Sequence, residues 1–184
     1  ILADLATEGL CSVAVSITTL DDDLKRTLEP RAASGRARLA AAEALSVAGI
    51  PVTTLFAPVI PALNDAEMET ILARAAQAGA SQAAYILLRL PLEVNALFQD
   101  WLQRHYPLRA AHVMSVLRQC RGGRDNDPRF GTRMRGDGTF AELLQARFQL
   151  ACRKHGLSRR EQPDLRTDLF RPPCGGGRQG DLFG

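Results

Sequence analysis

Three stretches of the chain repeat one order of residues: an alanine-rich segment, a glycine, and then a short apolar run. Glycine adopts the left-handed conformation that ends many helices without steric cost, so each glycine is expected to end a helix and each apolar run to form a strand. The stretches are 6–17, 46–57 and 76–87, with Gly9, Gly49 and Gly79 as the glycines. The pattern therefore predicts three helix–strand units.

The segments between these strands have helical periodicity. Residues 37–48 and 65–78 place apolar residues three and four positions apart, and Asn64 or Asp65 is predicted to cap the second helix. Helices that alternate with strands indicate parallel βα units with right-handed crossovers. The spacing of the repeats suits a βα barrel or a doubly wound sheet, so the predicted fold class is α/β.

The pattern changes after residue 90. We predict helices over 91–107, 110–120 and 140–156, a glycine- and arginine-rich loop over 121–138 (the arginine loop), and an extended tail. The whole chain is predicted as a partial parallel βα barrel with three βα units, followed by a mainly helical carboxyl-terminal extension. The predicted regions are 1–92, 93–156 and 157–184.

The net charge of +3 conceals two unequal halves, because residues 1–100 carry −5 and residues 101–184 carry +8. A basic half can attract a polyanion. No apolar run approaches the roughly 20 residues of a membrane span. The four cysteines lack metal-ligand spacing, and the expected location is the cytoplasm. They are Cys11, Cys120, Cys152 and Cys174.

Polar residues gather where the first strand ends, and the polar stretch that follows, up to Pro30, is interpreted as a long loop. Side chains alternate along a strand, so Ser16 and Thr18 share the face opposite Val13, Val15 and Ile17. Parallel α/β folds bind ligands at the carboxyl ends of their strands. The two hydroxyls are therefore predicted either to contact a ligand or to bond neighbouring backbone where the chain turns.

The other two strands also end in candidate residues. Arg89 follows the third strand and is predicted either to pair with Glu93 or to bind an anionic group. The second strand runs into a proline-bracketed edge, which suits either stacking against a planar ring or a stiff loop. That edge comprises Pro58, Val59 and Ile60.

Together these residues resemble the carboxyl-terminal half of radical S-adenosylmethionine enzymes, and within them the spore photoproduct lyase and DNA repair photolyase branch. The resemblance rests on SITTLDDDLKRTLEPRAASGRARL, GIPVTTLFAPVIPALND, LLRLPLEV and RGGRDNDPRFGTRMRG. It implies a partial βα barrel that holds a [4Fe–4S] cluster on three cysteines and cleaves S-adenosylmethionine to a radical that abstracts hydrogen from a substrate.

The resemblance also implies roles for individual residues. Ser16 matches the serine that reaches the methionine end of the cofactor, and Thr18 follows it on the same face. Glu29 and Arg38 match the acid and base that orient either that end or each other. The edge beside the adenine is matched by Pro58, Val59 and Ile60. The family's CxxxCxxC motif appears nowhere in the sequence. We therefore expect the cluster ligands on a missing amino-terminal half, and we expect this chain alone to be inactive.

The arginine loop suggests a substrate class. Arg121, Arg124 and Arg133, with Arg89, are predicted to contact a substrate, and an intervening Phe130 favours nucleic acid. The alternative is that the arginines pair with acids of the negative half. The main hypothesis is thus part of a radical enzyme that acts on nucleic acid. A non-catalytic nucleic-acid-binding module is the alternative, and a barrel enzyme without iron is a third, disfavoured by the lack of a paired acid and base.

Overall fold

The structure is a computed structural model that describes residues 1–158 and 165–169. Its centre is a parallel three-stranded sheet in the order β1, β2, β3. The strands are β1 (Val13–Ser16), β2 (Val52–Val59) and β3 (Gln82–Leu87). Helices separate the strands along the chain, as the alternating pattern requires. The predicted α/β class and the parallel sheet are confirmed.

One helix precedes β1, two lie between β1 and β2, and one lies between β2 and β3. The first three are α1 (Leu2–Thr7), α2 (Asp22–Leu28) and α3 (Gly35–Val47), and a 3-10 turn (Asp65–Glu67) leads into α4 (Met68–Gln77). The helix predicted over 37–48 is α3, which begins two residues earlier because Ser34 caps it by accepting a hydrogen bond from the Ala37 amide. The segment after β1, interpreted as loop, contains α2.

The capping prediction for the next helix is wrong. Neither Asn64 nor Asp65 makes a side-chain capping bond to the turn or to α4. The Asp65 carboxylate instead accepts a hydrogen bond from the Ala62 amide, and the Asn64 amide is bonded elsewhere. Both side chains therefore stabilise the turn that precedes the helix.

One face of the sheet carries the larger core. Ile17, Phe56 and Tyr85 point from the three strands towards the helices, and Tyr85 packs on Phe148 at a ring-centroid distance of 4.9 Å. The opposite face carries Ser16 and Ala57. The predicted division of β1 into an apolar helix-facing side and a small polar side thus agrees with the packing.

The carboxyl-terminal helices are α5 (Glu93–His105), α6 (Pro107–Gln119) and α7 (Thr139–His155). The last of these, α7, packs against α4 and contributes Leu144 and Phe148 to the larger core. A second apolar core joins α5 and α6 to the ends of β2 and β3 through Ile60, Leu87, Phe98, Leu102 and Leu117. Within the described residues no helix has the length and hydropathy needed to span a bilayer.

The outer edge of β3 is paired with later parts of the chain. The Leu87 amide donates to the carbonyl of Met134 in the arginine loop, and the Ala83 amide donates to the Ser158 carbonyl. The predicted tail falls mostly on 159–164 and 170–184, which lie outside the described residues. The division into 1–92, 93–156 and 157–184 stays a prediction.

Candidate functional site

The hydroxyls at the end of β1 share one acceptor. Ser16 Oγ donates to the Ala57 carbonyl at 2.9 Å, and Thr18 Oγ1 donates to the same oxygen at 3.0 Å. These bonds tie the end of β1 to the end of β2, which agrees with the backbone-bonding interpretation of the two hydroxyls. A hydroxyl that donates one bond keeps lone pairs that can accept others. The donor role of both hydroxyls is therefore filled. In the part of the chain that the structure describes, the hydroxyl oxygen of the half-buried Ser16 accepts no bond, whereas Thr18 is buried, with 2% of its surface exposed.

Arg38 brings α3 to the same place. Its Nη1 donates to the Ser16 carbonyl at 2.7 Å, and its Nη2 lies 3.5 Å from Glu29 Oε2. Its Nε also donates to the Ala33 carbonyl. Both charged side chains are partly buried, with 19% of Arg38 and 29% of Glu29 exposed. The structure thus brings together Ser16, Thr18, Glu29 and Arg38, which we call the polar rim.

A glycine allows α3 to approach the rim. Gly35 is the first residue of α3 and is buried, and a Cβ atom there would collide with the Thr19 carbonyl. The first turn of the helix therefore lies directly against the chain that leaves β1. Arg38, one turn further along α3, is placed within reach of the Ser16 carbonyl.

Two further residues join the strand ends, and sequence reasoning assigned neither of them to the site. Asn64 is fully buried, and its Nδ2 donates to the carbonyls of Thr18 at 2.8 Å and Pro58 at 3.0 Å. Its Oδ1 accepts from the Ile60 amide. The Glu67 carboxylate accepts hydrogen bonds from the Thr19 hydroxyl and from the Leu20 backbone amide. These bonds fix the turns that follow β1 and β2.

The proline-bracketed edge is only partly accessible. Val59 and Ile60 are fully buried, each in a different apolar core, whereas Pro58 is half-buried and follows a cis peptide bond. Only Pro58 of these three presents side-chain surface, so any contact with a planar ring falls to it and to the backbone. The role predicted for this edge stays a prediction.

Arg89 pairs with no acid among the residues that the structure describes. Its Nε is buried and has no hydrogen-bond partner among the described residues. Glu93 is exposed, and no ion pair joins it to Arg89 within the described ranges. Of the two predictions for Arg89, the structure leaves the contact with an anionic group open and gives no support to pairing with Glu93.

The arginine loop uses its basic residues in different ways. Arg121 is only 1% exposed and donates to the carbonyls of Leu87, Leu88, Thr132 and Arg133. It therefore holds the loop against the end of β3, and burial lowers its pKa. Arg124 is exposed, and the Arg133 guanidinium lies 4.8 Å from the centroid of the exposed Phe130 ring.

The acids that pair with these arginines come mainly from the loop itself. Asp127 accepts from Arg129 and from the Thr132 hydroxyl, and these bonds hold the pKa of its carboxyl far below its usual value. Arginines outside the loop form ion pairs between the two halves of the chain. Arg147 of α7 pairs with Glu69 and Asp65, and Arg166 pairs with Glu8. The substrate-contact role proposed for Arg121, Arg124 and Arg133 stays a prediction.

The described residues hold no cluster of three or more potential metal ligands drawn from His, Cys, Asp and Glu. Cys11, Cys120 and Cys152 form no disulfide with one another in the described part of the chain. Burial raises the pKa of Cys120, which disfavours the thiolate that metals bind. Cys174 lies outside the described residues. This part of the chain therefore does not fit an iron–sulfur cluster.

The segment that contains the polar rim matches a known protein family. Residues 1–75 match the family model described as the Radical SAM superfamily. Uncharacterized proteins of Mycobacterium tuberculosis and Mycobacterium bovis are each 33% identical to the chain over 121 residues, which is 65% of this chain. The chain spans 36% of the length of these relatives. No solved structure matches the chain significantly.

Proposed function

We propose that this chain is part of a radical S-adenosylmethionine enzyme and that its polar rim holds the methionine end of the cofactor. The observation that carries the proposal is the convergence of Ser16, Thr18, Glu29 and Arg38 at the ends of β1 and β2, inside the segment that matches the family model.

The chemistry of the rim suits an amino acid. The hydroxyls of Ser16 and Thr18 both donate to the Ala57 carbonyl, and their oxygen atoms keep lone pairs. Glu29 adds a carboxylate. The rim can therefore accept hydrogen bonds from an ammonium group. The Arg38 guanidinium supplies the positive charge that a carboxylate requires, and its contact with Glu29 is long. Residues of this chain would thus bind and orient both ends of the zwitterion.

Bound beside a reduced cluster, S-adenosylmethionine would supply radical chemistry through its one-electron reductive cleavage. The described residues contribute binding and orientation to it and do not provide the cluster ligands. Since the chain spans 36% of its relatives' length, the activity of the whole protein is part of the proposal.

The test is a titration of the 184-residue chain with S-adenosylmethionine and with 5′-methylthioadenosine, which lacks the methionine end. We expect Arg38→Ala to weaken S-adenosylmethionine binding about tenfold, the size of one charge-assisted contact, and to leave 5′-methylthioadenosine binding unchanged. The exposed neighbour Arg36 on the same helix provides the control variant Arg36→Ala. Absence of saturable binding, or equal losses in the two variants, would refute the proposal.

Nucleic acid as the substrate class is a finer proposal. The Phe130 ring is 87% exposed and is covered on one face by Arg133, and the half of the chain that carries both has a charge of +8. An exposed aromatic ring with neighbouring cations can stack bases and contact phosphates. The closer assignment to the spore photoproduct lyase branch rests on the sequence resemblance.

A further inference from the structure

Two arginines at the end of β3 have donors without acceptors. Arg89 follows the strand directly, and Arg121 reaches back to it from the arginine loop. The Nε of each is buried and has no hydrogen-bond partner in the described part of the chain. A buried donor without an acceptor is costly, so two of them on neighbouring cations indicate that this place is built to receive acceptor atoms.

No carboxylate neutralises Arg121. Its Nη1 and Nη2 donate to main-chain carbonyls, at 2.7 Å to Arg133 and to Leu88. Asp127 is the acid whose charge acts on it, but that carboxylate is bonded by Arg129. The positive charge of Arg89 is also close enough to lower the pKa of Arg121. The guanidinium groups of Arg89 and Arg121 thus lie near each other, and the nearby Asp127 carboxylate is already hydrogen-bonded to Arg129.

A cavity opens beside these groups. Its volume is about 210 Å³, and its lining consists of Arg121, Gly122, Arg124, Asp127 and Arg129. Three arginines and one aspartate give the lining a formal charge of +2. Arg124 is exposed and has no ion pair within the described residues. A Cβ atom at Gly122 would meet nothing within 4 Å, so the glycine leaves the wall of the cavity open.

The cavity lies next to the polar edge of the sheet. The Arg121 guanidinium bonds the carbonyls of Leu87 and Leu88, and the Leu88 amide donates to the Val59 carbonyl at 2.9 Å. Val59 is the last residue of β2, and the carbonyl of its neighbour Pro58 is joined through the Asn64 amide to the Thr18 carbonyl, just beyond β1. An anion in the cavity would therefore lie near the carboxyl end of β3, which is the neighbour of β2 in the sheet.

We propose that the cavity at the end of β3 is an oxyanion site that binds a phosphate group through Arg121 and Arg124, with Arg89 adding positive charge. Guanidinium N–H groups bind phosphate oxygens by charge-assisted hydrogen bonds. Arg121 would contribute its Nε–H, because both of its Nη atoms already donate to main-chain carbonyls. Arg124 would contribute its exposed guanidinium. Binding of the anion stands independently of the proposed function. Its assignment as the phosphate of a substrate rests on that function.

The experiment titrates the 184-residue chain with inorganic phosphate at constant ionic strength and follows the arginine Nε–H resonances. We expect saturable binding that shifts the resonances of Arg89 and Arg121. Arg124→Gln should weaken binding about tenfold, the effect of losing one charged hydrogen bond. Arg109 is an exposed arginine on α6, and Arg109→Gln serves as the matched control. Lack of saturation, or equal weakening in both variants, overturns the site.

A second titration with a short single-stranded oligonucleotide identifies the source of the phosphate. Tighter binding than inorganic phosphate, with a salt dependence that Arg124→Gln reduces by about one counterion, supports a nucleic-acid backbone. Saturable phosphate binding without oligonucleotide binding supports a small phosphorylated ligand and removes the nucleic-acid proposal. Titration of the same sample with S-adenosylmethionine tests the polar rim separately, so either site can fail without the other.

Discussion

Replacing Asn64 by alanine tests whether one buried amide holds the ends of β1 and β2 together. The side chain is fully buried and makes three hydrogen bonds, two as donor to the carbonyls of Thr18 and Pro58 and one as acceptor from the Ile60 amide. Because the first of these carbonyls follows β1 and the second lies in β2, the amide crosses between the strands directly beneath the polar rim.

The expected loss follows from this bonding. Each of the three hydrogen bonds contributes about 1 kcal/mol to the free energy of unfolding, and the Ile60 amide left buried without an acceptor costs about 1 kcal/mol more. Asn64→Ala should therefore destabilise the chain by about 4 kcal/mol, a large share of the roughly 5–15 kcal/mol that stabilises a typical domain.

Urea unfolding measures this change. With a denaturant dependence of about 2 kcal/mol per M, the midpoint should fall by about 2 M without a change in slope. Gln103 is an exposed amide on α5, and Gln103→Ala should stay within about 0.5 kcal/mol of the wild type. A loss below about 1 kcal/mol for Asn64→Ala would refute the assigned role of the amide.

The variant Asn64→Asp adds a pH test to the same site. The new carboxyl keeps the bond from the Ile60 amide but faces the carbonyls of Thr18 and Pro58, so burial and repulsion should raise its folded pKa above the unfolded value of about 3.9. A raised carboxyl pKa means that the folded state binds the proton more tightly. The deficit relative to the wild type should thus be smaller near pH 4 than at pH 7. A deficit independent of pH would contradict this geometry.

Two further changes test the supports around the sheet. Gly35→Ala should cost about 2 kcal/mol because the added methyl group overlaps a backbone carbonyl, whereas Ala40→Gly on the exposed side of the same helix should cost about 1 kcal/mol; unfolding of Gly35→Ala at the wild-type midpoint would contradict the packing. Arg147 holds the pKa of Glu69 below its ordinary value of 4.5, so it contributes stability above the unfolded pKa that is lost as pH falls through the folded pKa. Arg147→Met should cost about 1 kcal/mol at pH 7 and flatten the acid limb of the stability profile, and the exposed Arg153→Met should do neither.

Local sequence pattern was sufficient to predict the sheet and most helices. The apolar period is clearest in α4, which buries Met68, Ile71, Leu72 and Ala75 at three- and four-residue spacing. The pattern failed at α2, which was interpreted as a polar loop. That helix buries only Leu24, so it offers almost no apolar period. Its start carries a different signal, since Asp21 accepts hydrogen bonds from the amides of Asp23 and Leu24. The acidic run that was interpreted as loop therefore contains a helix cap, Asp21, and the first residues of a short helix.

The misassigned role of Asn64 has a related cause. An asparagine before an acidic turn is typical of a helix cap, and local sequence shows no competing partner. The partner that matters is the Thr18 carbonyl, 46 residues away along the chain. The Asn64 amide could either cap the helix or bond the Thr18 carbonyl. The approach of the ends of β1 and β2 decides between these bonds, and local periodicity carries no information about that approach.

For Ser16 and Thr18, bonding to the backbone and contact with a ligand need not exclude each other. A hydroxyl that bonds the backbone and a hydroxyl that binds a ligand were treated as alternatives, yet donation to the Ala57 carbonyl orients both side chains and leaves their lone pairs free. The same bonds fix the separation between the ends of β1 and β2. Arg38 then adds a cation through the Ser16 carbonyl, so the backbone bonds are what bring a donor group and acceptor groups to one rim. A site for a zwitterion requires that combination, and neither hydroxyl alone would supply it.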